Sequence, residues 1–113
     1  MKYEMNVLRV IPMEGRSGKA VPNQYIIQIG ADMVFQSYNS TVAEYDGYNG
    51  KITINNEIAN YSITTKKYLN QFLDRFSQLN NYREEIKKAI KSGKKYTVID
   101  FRYSYGISVY NED

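Results

Sequence analysis

This chain has twelve tyrosines but no histidine and no cysteine. The side chains that could carry chemistry are therefore carboxylates, hydroxyls and phenols. Zinc, copper and iron sites therefore lose their usual ligands, and no imidazole is present to activate a serine. Asp100 is the strongest candidate for acid–base chemistry, since burial within its apolar segment would shift its pKa. The alternative is that Asp100 faces water or accepts a hydrogen bond from Arg102 or a neighbouring tyrosine.

A phosphate-binding loop is the next candidate, at residues 15–20, which read GRSGKA. Only two residues separate its glycines, where a P-loop needs four, and Ala20 stands where a hydroxyl would hold magnesium. The acidic and amide residues at 46–57 do not match a calcium-binding loop either, and turn formation explains them. We therefore expect no metal, no cofactor and no enzymatic activity.

Recognition of a partner is the remaining class of function, and charge and aromatic content indicate where it would occur. The net charge is +3, with five basic and six acidic residues in 1–65 against ten basic and six acidic in 66–113. Tyrosine and arginine are favoured at the centres of interfaces, and lysines steer association. The predicted partner-binding residues are Tyr38, Tyr45, Tyr48, Arg83, Lys87, Lys88, Lys91, Lys94 and Tyr105.

The first half of the chain alternates between polar and apolar residues, which predicts strands. Proline and glycine between residues 12 and 23 predict a loop, and the Asp-Gly and Asn-Gly pairs of 46–50 predict a hairpin turn. The resulting prediction is a meander of four to five strands at about 3–11, 24–29, 33–38, 41–45 and 51–55.

The period changes to helical spacing after residue 63, which predicts two amphipathic helices at about 64–79 and 82–92. Thr64 or Thr65 would cap the first helix, and Gly93 suits the end of the second. One or two strands follow, at about 96–101 and 107–110. Strands, then helices, then strands predict an α+β fold with a mainly antiparallel sheet, in a single domain spanning 1–113.

The absence of cysteine, of a signal-peptide-like segment and of a long apolar run predicts a cytoplasmic protein that does not associate with membranes. An exposed sheet edge in a domain of this size would also allow two copies to pair as a homodimer.

Three segments resemble small proteins encoded by phages, plasmids and other mobile elements of low-GC Gram-positive bacteria. They are VPNQY at 21–25, FQSYNSTVA at 35–43 and TTKKYLNQFL at 64–73. This resemblance implies a sheet followed by an amphipathic helix. It carries no catalytic residues, and so it implies none here.

Small phage proteins without enzymatic chemistry often act by occupying a host protein. The expected function is therefore inhibition of a host defence effector by protein–protein contact, as anti-CRISPR proteins do. Two alternatives remain. One is a nucleic-acid-binding accessory or regulatory protein that uses the basic second helix and tyrosines, and the other is a small hydrolase or nucleotide binder working through Asp100 and tyrosines.

Overall fold

A seven-stranded antiparallel sheet forms one layer of the molecule. The computed structural model describes residues 8–102 and 106–113. Each strand pairs with its neighbours in the sequence, so that the order across the sheet is β1 to β7. The strands are β1 (Leu8–Glu14), β2 (Ala20–Ile29), β3 (Asp32–Ser37), β4 (Ser40–Asp46), β5 (Lys51–Asn55), β6 (Tyr96–Asp100) and β7 (Ser108–Glu112).

The helices lie between β5 and β6 in the sequence and pack on one face of the sheet. They are α1 (Asn56–Ala59), α2 (Ile63–Leu73), a 3₁₀ helix (Ser77–Tyr82) and α3 (Arg83–Lys91). Their buried side chains share one core with alternate residues of the strands, including Phe35, Ile52 and Ile99. Phe35 of β3 stacks on Phe72 of α2 with ring centroids 6.0 Å apart. The α+β class and the antiparallel sheet are confirmed.

The first predicted helix is wrong in its extent. The apolar periodicity continues to Leu79, but α2 ends at Leu73 and a turn at 74–76 precedes the 3₁₀ helix. Phe76 and Leu79 are nevertheless buried. The apolar periodicity therefore predicted burial correctly, although the backbone changes direction after Leu73. The cap also differs, since the hydroxyl of Ser62 accepts from the backbone N–H of Thr65 at 3.1 Å.

The first strand is also displaced from its predicted position. Residues 3–7 of the prediction lie outside the described residues, and β1 continues through Pro12 to Glu14, where a loop was expected. Proline lacks an N–H and is tolerated in a strand at the edge of a sheet. Helix α1 was not predicted at all, because Asn55 and Asn56 resemble turn residues. The side chain of Asn55 instead caps α1 by accepting from the N–H of Ile58.

A partly buried polar network connects the helical layer to the sheet. Asn56, at the start of α1, donates to the carbonyl oxygen of Lys94 at 2.8 Å and accepts from the hydroxyl of Thr97 on β6 at 2.8 Å. Asn111 of β7 donates to that hydroxyl at 3.2 Å and to the carbonyl oxygen of Ala89 at 3.0 Å. The ends of α1 and α3 are therefore held against β6 and β7.

Candidate partner-binding surface

Helix α3 separates its apolar and basic residues onto opposite sides. Ile86 and Ile90 are buried, whereas Lys87, Lys88 and Lys91 are exposed. Acidic residues occupy the first turn and lysines the last, which matches the polarity of the helix dipole. Three of the predicted partner-binding lysines therefore do lie on one exposed side of the helical layer.

A cleft of about 230 Å³ separates α2 from α3, and three lysines line it. Lys66 comes from α2, while Lys87 and Lys91 come from α3. Its lining also includes Leu69 and Ile90, which are largely covered by the surrounding structure. Among the described residues, no acidic side chain lies within ion-pair distance of Lys66 or Lys91, and Lys87 has only a 3.6 Å contact with Glu84.

Polar side chains connect the helices that surround this cleft. Asn60 donates to the carbonyl oxygen of Ile90 at 2.8 Å, which ties the end of α1 to α3. Arg83 pairs with the carboxylate of Asp74 and donates to the side-chain oxygen of Asn70 at 2.8 Å. The structure thus places Arg83, one of the predicted partner-binding residues, in the corner between α2 and α3, with only 19% of its side chain exposed.

Two exposed apolar side chains, close in sequence to the cleft-lining residues Asn60 and Lys66, were missed in the sequence. Tyr61 and Ile63 are 86% and 87% exposed, more than the other large apolar residues in the described part of the chain. Ile63 lies one turn before Lys66 on α2, so the two share a side of the helix. The exposure of Ile63 could have been predicted, because Ile63 is out of phase with the buried stripe formed by Tyr68, Leu69 and Phe72. We define the α2–α3 surface as Tyr61, Ile63, Lys66, Lys87 and Lys91.

The predicted tyrosines do not form one patch. Tyr38 and Tyr48 are 61% and 78% exposed, but they lie in the turns that precede and follow β4. Those turns stand at opposite ends of a strand about 20 Å long. Tyr45 points into the core, where its ring lies 4.8 Å from that of Phe76 and 5.9 Å from that of Phe101. Tyr105 lies outside the described residues.

The remaining predicted lysine, Lys94, is exposed after α3 and lies 3.9 Å from the carboxylate of Asp113. The wider charge distribution favours the helical layer as the cationic side of the molecule. Residues 56–95 carry nine basic and four acidic side chains, a net +5, and the rest of the chain carries six basic and eight acidic, a net −2.

Asp100 is buried at the end of β6, on the sheet face opposite the helices. Its carboxylate accepts from the Nη2 of Arg102 at 2.8 Å and from the Arg102 backbone N–H at 3.1 Å. The expected hydrogen bond from Arg102 is therefore confirmed. These hydrogen bonds lower the pKa of Asp100, against an opposing contribution from burial. A general acid or base needs a pKa near the working pH. The pKa of Asp100 is instead shifted further away from neutral pH.

Other kinds of site can be considered for residues 8–102 and 106–113. No group of three or more acidic side chains in them is arranged to hold a metal ion, and none of their helices combines the length and apolar character needed to cross a bilayer. Another cleft, of about 450 Å³, lies between β1 and the end of α2, and none of the predicted partner-binding residues lines it.

No curated protein and no solved structure matches the chain. One family model does match, over residues 8–93. That range begins with the first residue of β1 and ends after α3, so it includes both helices that form the cleft and every residue of the α2–α3 surface. Since this is more than half of the chain, the protein belongs to the family of unknown function DUF8033.

Proposed function

We propose that this protein binds a partner protein through the α2–α3 surface and acts by obstructing the surface that it occupies. The observation that supports this most directly is the exposure of Tyr61 and Ile63, which lie close in sequence to Asn60 and Lys66 of the lysine-lined cleft. A single exposed apolar residue is ordinary. Two neighbouring ones that are 86% and 87% exposed, next to cationic side chains, have the composition of an interface centre with a charged rim.

The charge of the surface indicates the chemistry of the partner. Lys66 and Lys91 have no described acidic partner, so an acidic protein surface would gain charge complementarity on binding. Apolar contacts to Tyr61 and Ile63 would then supply affinity, while the lysines would accelerate association and orient the complex. The partner is accordingly a protein whose binding face combines carboxylates with an apolar recess.

The specific form of this function that we propose is inhibition of a host defence effector. Its support is the resemblance of residues 21–73 to small proteins of mobile elements, together with the lack of a recognisable catalytic constellation. A 113-residue chain that covers a nucleic-acid entry site or an activating surface would need no chemistry of its own.

The test is phage plating on a low-GC Gram-positive host with an active defence system and with the protein expressed. We expect the wild-type protein to raise the efficiency of plating above that of the same host without it. The K66E/K91E variant should lose this effect. R16E/K19E, which makes the same charge change at exposed positions of the β1–β2 turn, should keep it. Unchanged plating with the wild-type protein across a panel of defence systems would refute the inhibitor function.

Nucleic-acid binding is the second candidate, and the net +5 of residues 56–95 favours it. Lysines on α2 and α3 could neutralise phosphates, and Tyr61 could stack on a base. The two functions differ in the role of Ile63, because an aliphatic side chain contributes to a protein interface but not to phosphate neutralisation.

A further inference from the structure

The turn between β4 and β5, residues 47–50, contains the only Asn-Gly pair in the sequence, Asn49-Gly50. The side chain of Asn49 is exposed to solvent. Gly50 has no Cβ to shield its backbone nitrogen, so in a mobile chain this nitrogen can reach the Cγ of Asn49. The pair is therefore the point in the chain most prone to loss of ammonia from an asparagine side chain.

The reaction is deamidation, in which water is the only co-reactant. The nitrogen of Gly50 loses its proton to solvent and bonds to the Cγ of Asn49, while the Cγ–Nδ2 bond breaks and the released group takes up a proton to leave as ammonia. Water then opens the resulting cyclic imide at one of its two carbonyl carbons. Opening at Cγ leaves an aspartate at position 49, whereas opening at the backbone carbonyl carbon leaves an isoaspartate, whose main chain is one atom longer.

Asp46 engages both of the groups that must react. Its Oδ2 accepts from the Nδ2 of Asn49 at 2.7 Å, and its Oδ1 accepts from the Asn49 backbone N–H at 3.1 Å. The backbone carbonyl oxygen of Asp46 accepts from the N–H of Gly50 at 2.9 Å. The nitrogen that would attack therefore keeps its proton in a hydrogen bond, and the amide that would be attacked is held by a carboxylate.

We propose that Asn49 is a site of spontaneous deamidation and that Asp46 restrains the reaction in the folded protein. Hydrogen bonds to an ionised carboxylate are shorter and stronger than neutral ones, and the contact between Asp46 and the Asn49 amide is 2.7 Å long. The bonds of Asp46 to Asn49 and Gly50 must break before the two reacting groups can meet, so the turn has to open locally first. The rate in the folded protein is therefore the rate in a mobile chain multiplied by the fraction of time for which the turn is open.

Deamidation would weaken the contacts between this turn and the end of β6. An aspartate at position 49 would place a second carboxylate beside that of Asp46, and the two charges would repel each other. An isoaspartate would displace Gly50, whose carbonyl oxygen accepts from the N–H of Phe101 at 2.9 Å. Gly50 also lies so close to that segment that a Cβ on it would be 3.3 Å from the Cα of Arg102. Both products should therefore lower the thermal midpoint of the protein.

The test is incubation of the full chain at neutral pH, in buffer and in guanidinium chloride, with both products at position 49 measured by peptide mass spectrometry. We expect Asn49 to react about a hundredfold more slowly in the folded chain than in the unfolded one, which corresponds to about 2.8 kcal/mol of opening free energy. D46S keeps a side-chain oxygen suited to a turn but has no carboxylate to hold the Asn49 amide. Its deamidation in buffer should be about tenfold faster than that of the wild type, because the backbone bond to Gly50 remains. In guanidinium chloride the two chains should react equally.

G93A is the control for a general loss of stability. The φ of Gly93 is +87°, so the substitution strains the backbone after α3 and leaves the β4–β5 turn unchanged. G93A should therefore deamidate at the wild-type rate if the turn opens locally. Circular dichroism spectra would verify that D46S and G93A are folded in buffer.

Four results would overturn the proposal. An Asn49 that stays intact in guanidinium chloride is not a modification site. Equal wild-type rates in buffer and in guanidinium chloride would mean that the turn gives no protection. A D46S variant that reacts no faster than the wild type would assign the restraint to another group. Equal acceleration in D46S and G93A would show that Asn49 reacts through global unfolding instead of local opening of the turn.

Discussion

The Nη2 of Arg102 donates to the Oδ2 of Asp100 at 2.8 Å, and the backbone N–H of the same arginine donates to Oδ1 at 3.1 Å. One residue thus supplies both a charged and a backbone donor to a carboxylate whose side chain is only 9% exposed. These hydrogen bonds to Arg102 outweigh the desolvation of the carboxyl, so the pKa of Asp100 falls below its ordinary value of 3.8. The ionised form is therefore the one that stabilises the fold.

Replacing Asp100 by Asn should make stability less dependent on pH at the acidic end. A depressed pKa in the folded state contributes stability above the unfolded value, and this contribution is lost as the pH falls through the folded-state pKa. We expect D100N to lower the free energy of unfolding by about 1 kcal/mol at pH 7, since the guanidinium is partly solvated. Urea titrations at pH 7 and at lower pH should show this difference shrinking below pH 3.8. The exposed E44Q serves as control, and a difference that stays constant with pH would contradict the assignment.

Gly47 approaches the turn between β2 and β3 more closely than any side chain would permit. A Cβ on residue 47 would lie 2.0 Å from the carbonyl oxygen of Ala31 and 2.7 Å from the Ala31 Cβ. Its N–H also donates to the Oδ1 of Asp32 at 2.9 Å. Overpacking costs 1–3 kcal/mol, so G47A should lower the free energy of unfolding by about 3 kcal/mol, as measured by chemical denaturation.

Two other glycines provide the comparison for G47A. Gly93 has φ of +87° with open space around it, so G93A should cost about 1 kcal/mol from backbone strain alone. Gly106 has open space and no left-handed φ, so G106A should change stability by less than about 0.5 kcal/mol. If G47A changed the free energy of unfolding as little as G106A, the close approach of Gly47 to the turn between β2 and β3 would be wrong.

Most of the fold could be predicted because strands, turns and helix faces are encoded by residues that are close together in the sequence. Strand β5 alternates cleanly, and the Asp-Gly and Asn-Gly pairs before it do form a turn, in which the carboxylate of Asp46 accepts from the N–H groups of Tyr48 and Asn49. The apolar stripe of α2 identified the core residues beyond the end of the helix itself. Periodicity reports which side chains are buried, and it does not report where a backbone turns.

The candidate site depends on contacts that periodicity does not encode. Lys66 and Lys91 share a cleft although 25 positions separate them in the sequence, because the corner at 74–82 folds α3 back beside α2. That corner is fixed by the hydrogen bonds of Arg83 to Asp74 and Asn70. In the sequence, Arg83 is an isolated basic residue near Asn81 and Glu84. Nothing in that setting indicated that Arg83 would fix the corner between the helices.

Asn56 and Thr97 should behave as one unit when the protein unfolds. N56A removes the donor to the Lys94 carbonyl, a part-buried contact, and the acceptor for the Thr97 hydroxyl, a buried one. Unsatisfied buried polar groups cost about 1–3 kcal/mol each, so N56A should lower the free energy of unfolding by about 3 kcal/mol. T97V, which keeps the shape of the side chain, should cost less.

The double variant distinguishes a network from two independent sites. The free energy of unfolding lost in N56A/T97V should be smaller than the sum of the losses in the two single variants, by about 1 kcal/mol. Chemical denaturation of the wild type and all three variants gives the complete cycle. Strict additivity would mean that the 2.8 Å contact between the two side chains contributes nothing.

Tyr45 and Tyr48 should respond in opposite ways to removal of the ring. Tyr45 packs against Phe76 and Phe101, so Y45A should destabilise the fold by about 3 kcal/mol, as aromatic truncations in cores do. Tyr48 is 78% exposed, and Y48A should change stability by less than about 0.5 kcal/mol. Thermal unfolding of both variants checks this difference, and equal midpoints would exclude the placement of Tyr45 in the core.

Ionic strength and Ile63 together separate the two proposed functions. If nucleic acid is the ligand, the logarithm of the binding constant falls linearly with the logarithm of salt concentration, with a slope of about −0.9 per neutralised phosphate. K66Q/K91Q should then reduce the slope by about 2, and I63A should leave affinity unchanged. If an acidic protein is the ligand, I63A should weaken binding by roughly tenfold, the scale of an interface centre. Fluorescence anisotropy with labelled single- and double-stranded DNA, and with the candidate partner, measures both effects. An affinity for the candidate partner that I63A leaves intact would remove the apolar half of the α2–α3 surface from the proposal, because burial of that side chain is what distinguishes a protein interface from a polyanion site here.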